Sequence, residues 1–158
     1  NTLLALLFIS LLSSPSWSAT MDDLVEREGI YYEKFTDVPF SGKVTGKTTG
    51  RFVNGKFEGS FIGYYDNGQL KMRGNYVDGK KEGDWVEYYD DGLLAEKGTY
   101  LDGKADGAYV NYHGNGLLAM KGNYLDGKQE GYWEWNFSNG EALTLMTGTF
   151  KNGVKISD

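Results

Sequence analysis

The chain is built around a sequence unit that recurs every 24 residues. Residues 82–105 read EGDWVEYYDDGLLAEKGTYLDGKA, and residues 106–129 read DGAYVNYHGNGLLAMKGNYLDGKQ, with shared glycine, aromatic and acidic positions. The same pattern defines units 58–81 and 130–155, the last of which is longer. A fixed period of this length is typical of repeat proteins, in which each unit packs on its neighbours.

Each unit contains two turn signals separated by segments of strand length. Glycine falls at four fixed positions in each of the four units, which accounts for 16 of the 23 glycines, whereas proline occurs only twice. The turn signals are mostly Asn-Gly and Asp-Gly, which supply the positive φ values of tight hairpins. The segments between them are rich in Tyr, Trp, Phe, Val and Leu. The sequence therefore predicts an all-β fold, a single-layer, elongated antiparallel meander of tandem hairpins.

A pairing register follows if Asn67-Gly68 and its equivalents are two-residue loops. Each unit then places a large ring opposite a strand glycine, which covers backbone that would otherwise be exposed. These predicted structural pairs are Phe61–Gly74, Trp85–Gly98, Tyr109–Gly122 and, if residues 139–142 form a four-residue loop, Trp133–Gly148. Nearer the loops, the same register pairs Tyr65 with Leu70, Tyr89 with Leu94 and His113 with Leu118. A second two-residue loop at Asp78-Gly79 would place Met72 on the other side of Trp85.

Alternation along the predicted strands separates an aromatic core face from a mixed outer face. The outer face collects tyrosine and basic residues, which we predict to bind a partner: Tyr64, Lys71, Arg73, Tyr88, Lys97, Tyr112 and Lys121. Exposed aromatic residues flanked by charge suit protein contacts or stacking on sugar rings. The alternative is that these long side chains only cover the outer face of a sheet without a second layer.

The sequence gives no indication of catalysis, a cofactor or a metal site. The chain has no cysteine and one histidine, so it cannot form a Cys–His pair or a histidine cluster. That residue, His113, occupies the place of Tyr65 and Tyr89 in neighbouring units, which favours a structural role. The carboxylates recur at turns and at the starts of units, as expected of groups that serve the repeat itself. We therefore predict a non-enzymatic protein.

The N-terminal residues have the pattern of an export signal. The apolar run LLALLFISLL, residues 3–12, is too short to span a bilayer as a helix. It is followed by SSPSWSA, in which small Ser16 and Ser18 precede a cleavage point after Ser18. We expect residues 1–18 to be a signal peptide, 19–57 a cap with a partial repeat, and 58–158 the four repeats. The prediction is a periplasmic or secreted protein without a transmembrane segment.

The net charge of −6 argues against a nucleic-acid partner, because a nucleic-acid backbone attracts positive charge. The candidate partners that remain are a protein and a glycan.

The unit EGxWxxYYxNGxLxxKGxYxDGK resembles the MORN repeat in its bacterial variant form. The stretch DLVEREGIYYEKFTDVPFSGKVTG, residues 23–46, followed by these units is similar to proteins grouped as the YwqK-type toxin–antitoxin antitoxin family. The resemblance implies a glycine-rich sheet of hairpins and a protein-binding, toxin-neutralising or scaffolding role. We expect an exported interaction protein that binds another protein, such as a toxin-like one, through its sheet surface. The alternative is an envelope or carbohydrate-binding module that uses the tyrosines to bind a glycan.

Overall fold

A computed structural model of the protein describes residues 18–158. Its strands are β1 (Ser18–Ala19), β2 (Leu24–Arg27), β3 (Ile30–Glu33), β4 (Gly42–Val44), β5 (Thr48–Val53), β6 (Lys56–Phe57), β7 (Gly59–Tyr64), β8 (Leu70–Val77), β9 (Lys80–Tyr88), β10 (Leu94–Leu101), β11 (Lys104–Tyr112), β12 (Leu118–Leu125), β13 (Lys128–Trp135), β14 (Gly148–Lys151) and β15 (Val154–Ser157). A single 3-10 turn, Met21–Asp23, precedes β2. The predicted signal peptide, except for Ser18, lies outside the described residues.

Thirteen strands form one open sheet, and strands β7 to β15 pair in the order in which they occur in the chain. All of its pairs are antiparallel except β1 with β4, which is parallel. Strands β2 and β3 form a separate hairpin. The predicted all-β antiparallel meander is confirmed.

Two kinds of turn alternate along the sheet. Asp78 and Gly79 have φ values of 50° and 78°, the two positive values of a two-residue type I′ hairpin, so the loop predicted there is confirmed. At the other edge, Gly68 N–H donates to Tyr65 O and Tyr65 N–H donates to Gln69 O, each at 2.9 Å. That loop has three residues, 66–68, so the predicted two-residue loop at Asn67-Gly68 is wrong.

The three-residue loop moves the pairs beside it by one residue. Tyr64, not Tyr65, lies opposite Leu70, and a bulge at Lys71 then restores the register so that Phe61 meets Gly74. Side-chain bonding selects the loop, because Asn67 Oδ1 accepts from Gln69 N–H and only Gly68 needs a positive φ. The predicted pairs Tyr65–Leu70, Tyr89–Leu94 and His113–Leu118 are therefore wrong; the observed ones are Tyr64–Leu70, Tyr88–Leu94 and Tyr112–Leu118.

The four predicted ring–glycine pairs are confirmed as cross-strand partners, including the one in the longer last unit. The expectation that each ring covers its paired glycine is wrong, because the rings nearest to Gly74, Gly98 and Gly122 are those of Trp85, Tyr109 and Trp133 on the next strand. Trp133 lies opposite Gly148. The four-residue loop expected at 139–142 is wrong, because Phe137 N–H donates to Glu141 O and closes another three-residue loop. The two extra residues instead enlarge the following bulge, where Thr147 N–H donates to Leu143 O. A longer bulge keeps each later side chain on its face just as a longer loop would.

Strand β9 contains a bulge of three residues that determines the position of its tryptophan. Between the pairs Asn75–Glu82 and Arg73–Val86, residues 83–85 face one residue of β8. Gly83 permits the bulge with a φ of 69°. Met72 consequently pairs with Glu87, so the prediction that Met72 would flank Trp85 from the other side is wrong.

The aromatic face is the core of the sheet. Trp85 packs with Phe61 and Tyr76, and Trp133 packs with Tyr109 and Tyr124. The two tryptophan side chains are 2% and 0% exposed. Near the N-terminus, a second cluster around Leu24, Val44 and Phe52 joins the β2–β3 hairpin to the start of the sheet.

Candidate protein-binding surface

Basic and aliphatic side chains alternate across the outer face of the sheet. Each is the direct cross-strand partner of the next, from β7 to β12, and we name this set the outer row: Ile62, Arg73, Val86, Lys97, Val110 and Lys121. The three basic side chains are exposed, whereas the three aliphatic ones are half-buried. Three of the seven residues predicted to bind a partner, Arg73, Lys97 and Lys121, therefore stand in this line, on strands β8, β10 and β12.

The three predicted tyrosines border the outer row. Tyr64, Tyr88 and Tyr112 lie two residues beyond the aliphatic members on the same strands, so alternation puts them on the same face. Each lies opposite a leucine, because the bulge beside the loop places Leu70, Leu94 and Leu118 on this face. Tyr64 is 37% exposed and the other two are half-buried, so all three retain accessible surface.

Lys71 does not belong to the outer row. It is the bulged residue of β8 and has no direct partner on β7. Its ammonium lies 5.5 Å from the centre of the Tyr65 ring, near the loop edge of the sheet. The corresponding positions in the next two units, Ala95 and Ala119, carry no charge. The sequence prediction that Lys71 joins the other basic residues in one stripe is therefore wrong.

Two open grooves run along the outer row. One, of about 590 Å³, is lined by Lys97, Val110, Lys121 and the exposed Tyr132. The other, of about 620 Å³, is lined by Ile62, Arg73, Val86 and Lys97. Lys97 and Asp84 line both grooves, which join at these two residues. The three predicted tyrosines stand beside the grooves and do not line them.

Comparison with known protein families and with curated protein sequences gives no match for this chain.

The charges of the outer row are unequally available. Lys121 Nζ lies 2.8 Å from Glu134 Oε2, its cross-strand neighbour. The Lys121 hydrogen bond, together with a weaker one from Asn136, lowers the pKa of the Glu134 carboxyl. Within residues 18–158, neither Arg73 nor Lys97 has a carboxylate within ion-pair distance, whereas Lys56, Lys80 and Lys104 at the loop edge are all paired with aspartates. Two full positive charges therefore remain open to a ligand.

The recurring carboxylates and His113 join neighbouring hairpins. Glu82 accepts the backbone N–H of Asp102, at 3.0 Å, and the carboxylates of Glu58, Asp106 and Glu130 make the same contact in their own units. Tyr89 OH donates to Tyr112 O at 2.6 Å, and His113 Nε2 lies 2.9 Å from Asn136 O in the equivalent place. We call the Tyr65, Tyr89 and His113 contacts the inter-repeat braces. These groups therefore have a structural role, since their contacts hold neighbouring hairpins together.

A polar cluster on the aromatic face was missed from the sequence. Glu87 and Glu96 are direct cross-strand partners, and Glu96 accepts hydrogen bonds from Tyr100 and Tyr109. Lys81 Nζ lies 3.4 Å from Glu87 Oε1 and 4.5 Å from the centre of the Trp85 ring. Comparison at the 24-residue period would have found it, because Phe57, Gly63 and Met72 stand one period before Lys81, Glu87 and Glu96. The charged groups of the cluster are therefore paired with one another and with neighbouring tyrosines.

Among the described residues, helical structure is confined to one 3-10 turn of three residues, which is far too short to cross a bilayer.

Proposed function

We propose that this chain is an exported, non-enzymatic interaction protein of the MORN-repeat, YwqK antitoxin-like kind, which binds a protein partner through its outer face. The observation that carries the proposal is the outer row, a line of basic and aliphatic side chains that runs along two joined grooves. Apolar area supplies affinity at such a surface, and unpaired charge supplies orientation and specificity. A toxin-like protein is the first candidate partner.

The binding proposal is tested by capture with matched variants. The protein is immobilised, exposed to envelope and secreted fractions of the source cells, and the bound proteins are identified by mass spectrometry. We expect a discrete protein partner whose capture falls when Tyr64, Tyr88 and Tyr112 are changed together to Ser, and falls again with Arg73→Gln and Lys97→Gln. The control changes Lys80 and Lys104 to Gln, since these lysines are exposed but lie in the edge ion pairs.

Thermal melting of every variant checks that the sheet remains folded. Equal capture by all variants would place the binding site elsewhere. Retention of a glycan and of no protein, in a parallel glycan array, would replace this function with the carbohydrate-binding alternative.

Export is tested separately. A reporter fused to the chain, with a start codon placed before residue 1, is expected to leave the cytoplasm and to lose the residues before about Ala19. Sequencing the N-terminus of the exported product locates the cut. An uncleaved product that remains in the cytoplasm would contradict the proposed localisation.

A further inference from the structure

The basic residues of the outer row have a spacing that selects one peptide conformation. Arg73, Lys97 and Lys121 stand on every second strand, and adjacent strands are about 4.8 Å apart, so the three charges recur at about 9.6 Å. A polyproline II helix has three residues per turn and rises about 3.1 Å per residue, so every third side chain returns to the same side after about 9.3 Å. In a β-strand, side chains three residues apart point to opposite faces.

The groups beside the charges match the rest of such a peptide. Between the charges lie the half-buried aliphatic side chains of Val86 and Val110. Tyr64, Tyr88 and Tyr112 repeat beside the row at the same interval of two strands. Polyproline II segments dock on surfaces that offer aromatic rings, and they lose little conformational entropy on binding because their shape is already formed.

We propose that the outer row binds an acidic peptide in the polyproline II conformation, which lies across the strands and places a carboxylate at every third residue against Arg73, Lys97 and Lys121. This inference rests on the proposed function, since it names the kind of segment that a protein partner presents. The intervening residues of the peptide pack on the valines and tyrosines.

Two acidic side chains of the protein compete with such a peptide. Glu134 already occupies the Lys121 ammonium, and Asp84 lines both grooves next to Lys97. Removing either negative charge increases the positive charge that the peptide meets. Glu134→Gln and Asp84→Asn therefore strengthen peptide binding. If these groups had only a structural role, losing an ion pair or a hydrogen bond would weaken the surface and would not strengthen binding.

The test uses two synthetic peptides of identical composition and the full chain. One peptide is three Glu-Pro-Pro triplets in tandem; the other has the three glutamates together, followed by the six prolines. Anisotropy of a fluorescent label reports binding at low and high salt. We expect the triplet peptide to bind at least tenfold more tightly than its isomer, with an affinity that falls as salt rises.

The variants locate the peptide. Arg73→Gln and Lys97→Gln each weaken binding several-fold, Glu134→Gln and Asp84→Asn strengthen it, and the edge control Lys80→Gln with Lys104→Gln leaves it unchanged. The inference is overturned if the two isomers bind equally or not at all, or if the row variants have no effect. It is also overturned if an oligogalacturonate, an acidic glycan that carries carboxylates on sugar rings, binds more tightly than the triplet peptide. If the protein captures its partner but does not bind the triplet peptide, this inference fails and the proposed function stands. If the protein binds the triplet peptide but partner capture is unchanged by the outer-face variants, this inference stands and the proposed function fails.

Discussion

The indole of Trp85 lies against the backbone of Gly74 on β8, although the residue paired with Trp85 across the ladder is Gly98 on β10. The bulge in β9 explains why Trp85 contacts a strand other than that of its ladder partner. Residues 83–85 together face Gly74, so Trp85 lies beside Gly74 on one side and opposite Gly98 on the other. Trp133 and Gly122 repeat the arrangement one pair of hairpins later. Each tryptophan thus occupies the space that a side chain on the preceding strand would fill.

Gly74→Ala is expected to destabilise the protein, since its new methyl group would collide with the Cδ2 and Cε2 atoms of Trp85. Overpacking of this kind costs about 1–3 kcal/mol. Backbone strain is not the cause, because Gly74 has no positive φ. Urea unfolding measures the loss. The matched control is Gly114→Ala, where a methyl group would meet no atom within 4 Å, and an equal loss there would contradict the argument.

Trp85→Ala is expected to remove about 3–5 kcal/mol, the usual cost of truncating a buried aromatic side chain. The total stability of a small domain is about 5–15 kcal/mol, so much of it would disappear. Tyr64→Ala on the outer face should cost less. The informative measurement is a double-mutant cycle: once the indole is gone, Gly74→Ala should cost almost nothing, and additive losses would show that the two residues do not share the space.

Gly98→Val is expected to destabilise despite the higher strand propensity of valine. A Cβ at residue 98 would lie 3.0 Å from Tyr109 Cδ2, so that ring would have to shift. Tyr100 Cε2, at 3.4 Å, would already be in contact with the Cβ, and the two further methyl groups of valine would crowd both rings. A melting temperature equal to or above that of the parent protein would refute this.

Tyr89→Phe removes one inter-repeat brace without removing the ring. The lost hydrogen bond from Tyr89 OH to Tyr112 O should cost about 1 kcal/mol. Tyr64→Phe is the control, because within the described chain the Tyr64 hydroxyl has no protein hydrogen-bond partner. Chemical denaturation compares the two, and the prediction fails if both losses are the same.

Alkali is expected to weaken the fold through Tyr100 and Tyr109. Burial and the negative charge of Glu96 raise the pKa of both hydroxyls above the ordinary value of 10.0. Because the folded-state pKa exceeds the unfolded one, the stability from the neutral phenols is complete below pH 10 and decreases as the pH rises towards the folded-state values. Tyrosinate absorbance during an alkaline titration should show a late-ionising group that Glu96→Gln shifts to lower pH.

The sequence predicts the meander because rings and glycines share one period, and an array of identical spacing has one self-consistent pairing. It does not predict the bulge at Lys71, which depends on the competition between two loop types that both accept an Asn-Gly dipeptide. That one-residue difference places Leu70 opposite Tyr64 and excludes Lys71 from the outer row. Arg73, Lys97 and Lys121 lie on the predicted face because the register is restored before each of β8, β10 and β12 reaches its basic residue.

The grooves could not be read from the sequence, since residues from several strands form them. Asp84 and Tyr132 belong to different units and come together only through the pairing of the strands between them. The polar cluster of Lys81, Glu87 and Glu96 was readable in principle, because it breaks the pattern of the preceding unit at three places that the register makes neighbours.

The inter-repeat braces each span 23 residues and join only adjacent hairpins. Contacts so close in the sequence can form early, because the chain closes only short loops to make them. No brace connects hairpins two units apart, so stability is a sum of terms between neighbours and the array can open one hairpin at a time from an end. A partner that lies across several strands would couple these hairpins, and binding would then convert a stepwise unfolding into a cooperative one.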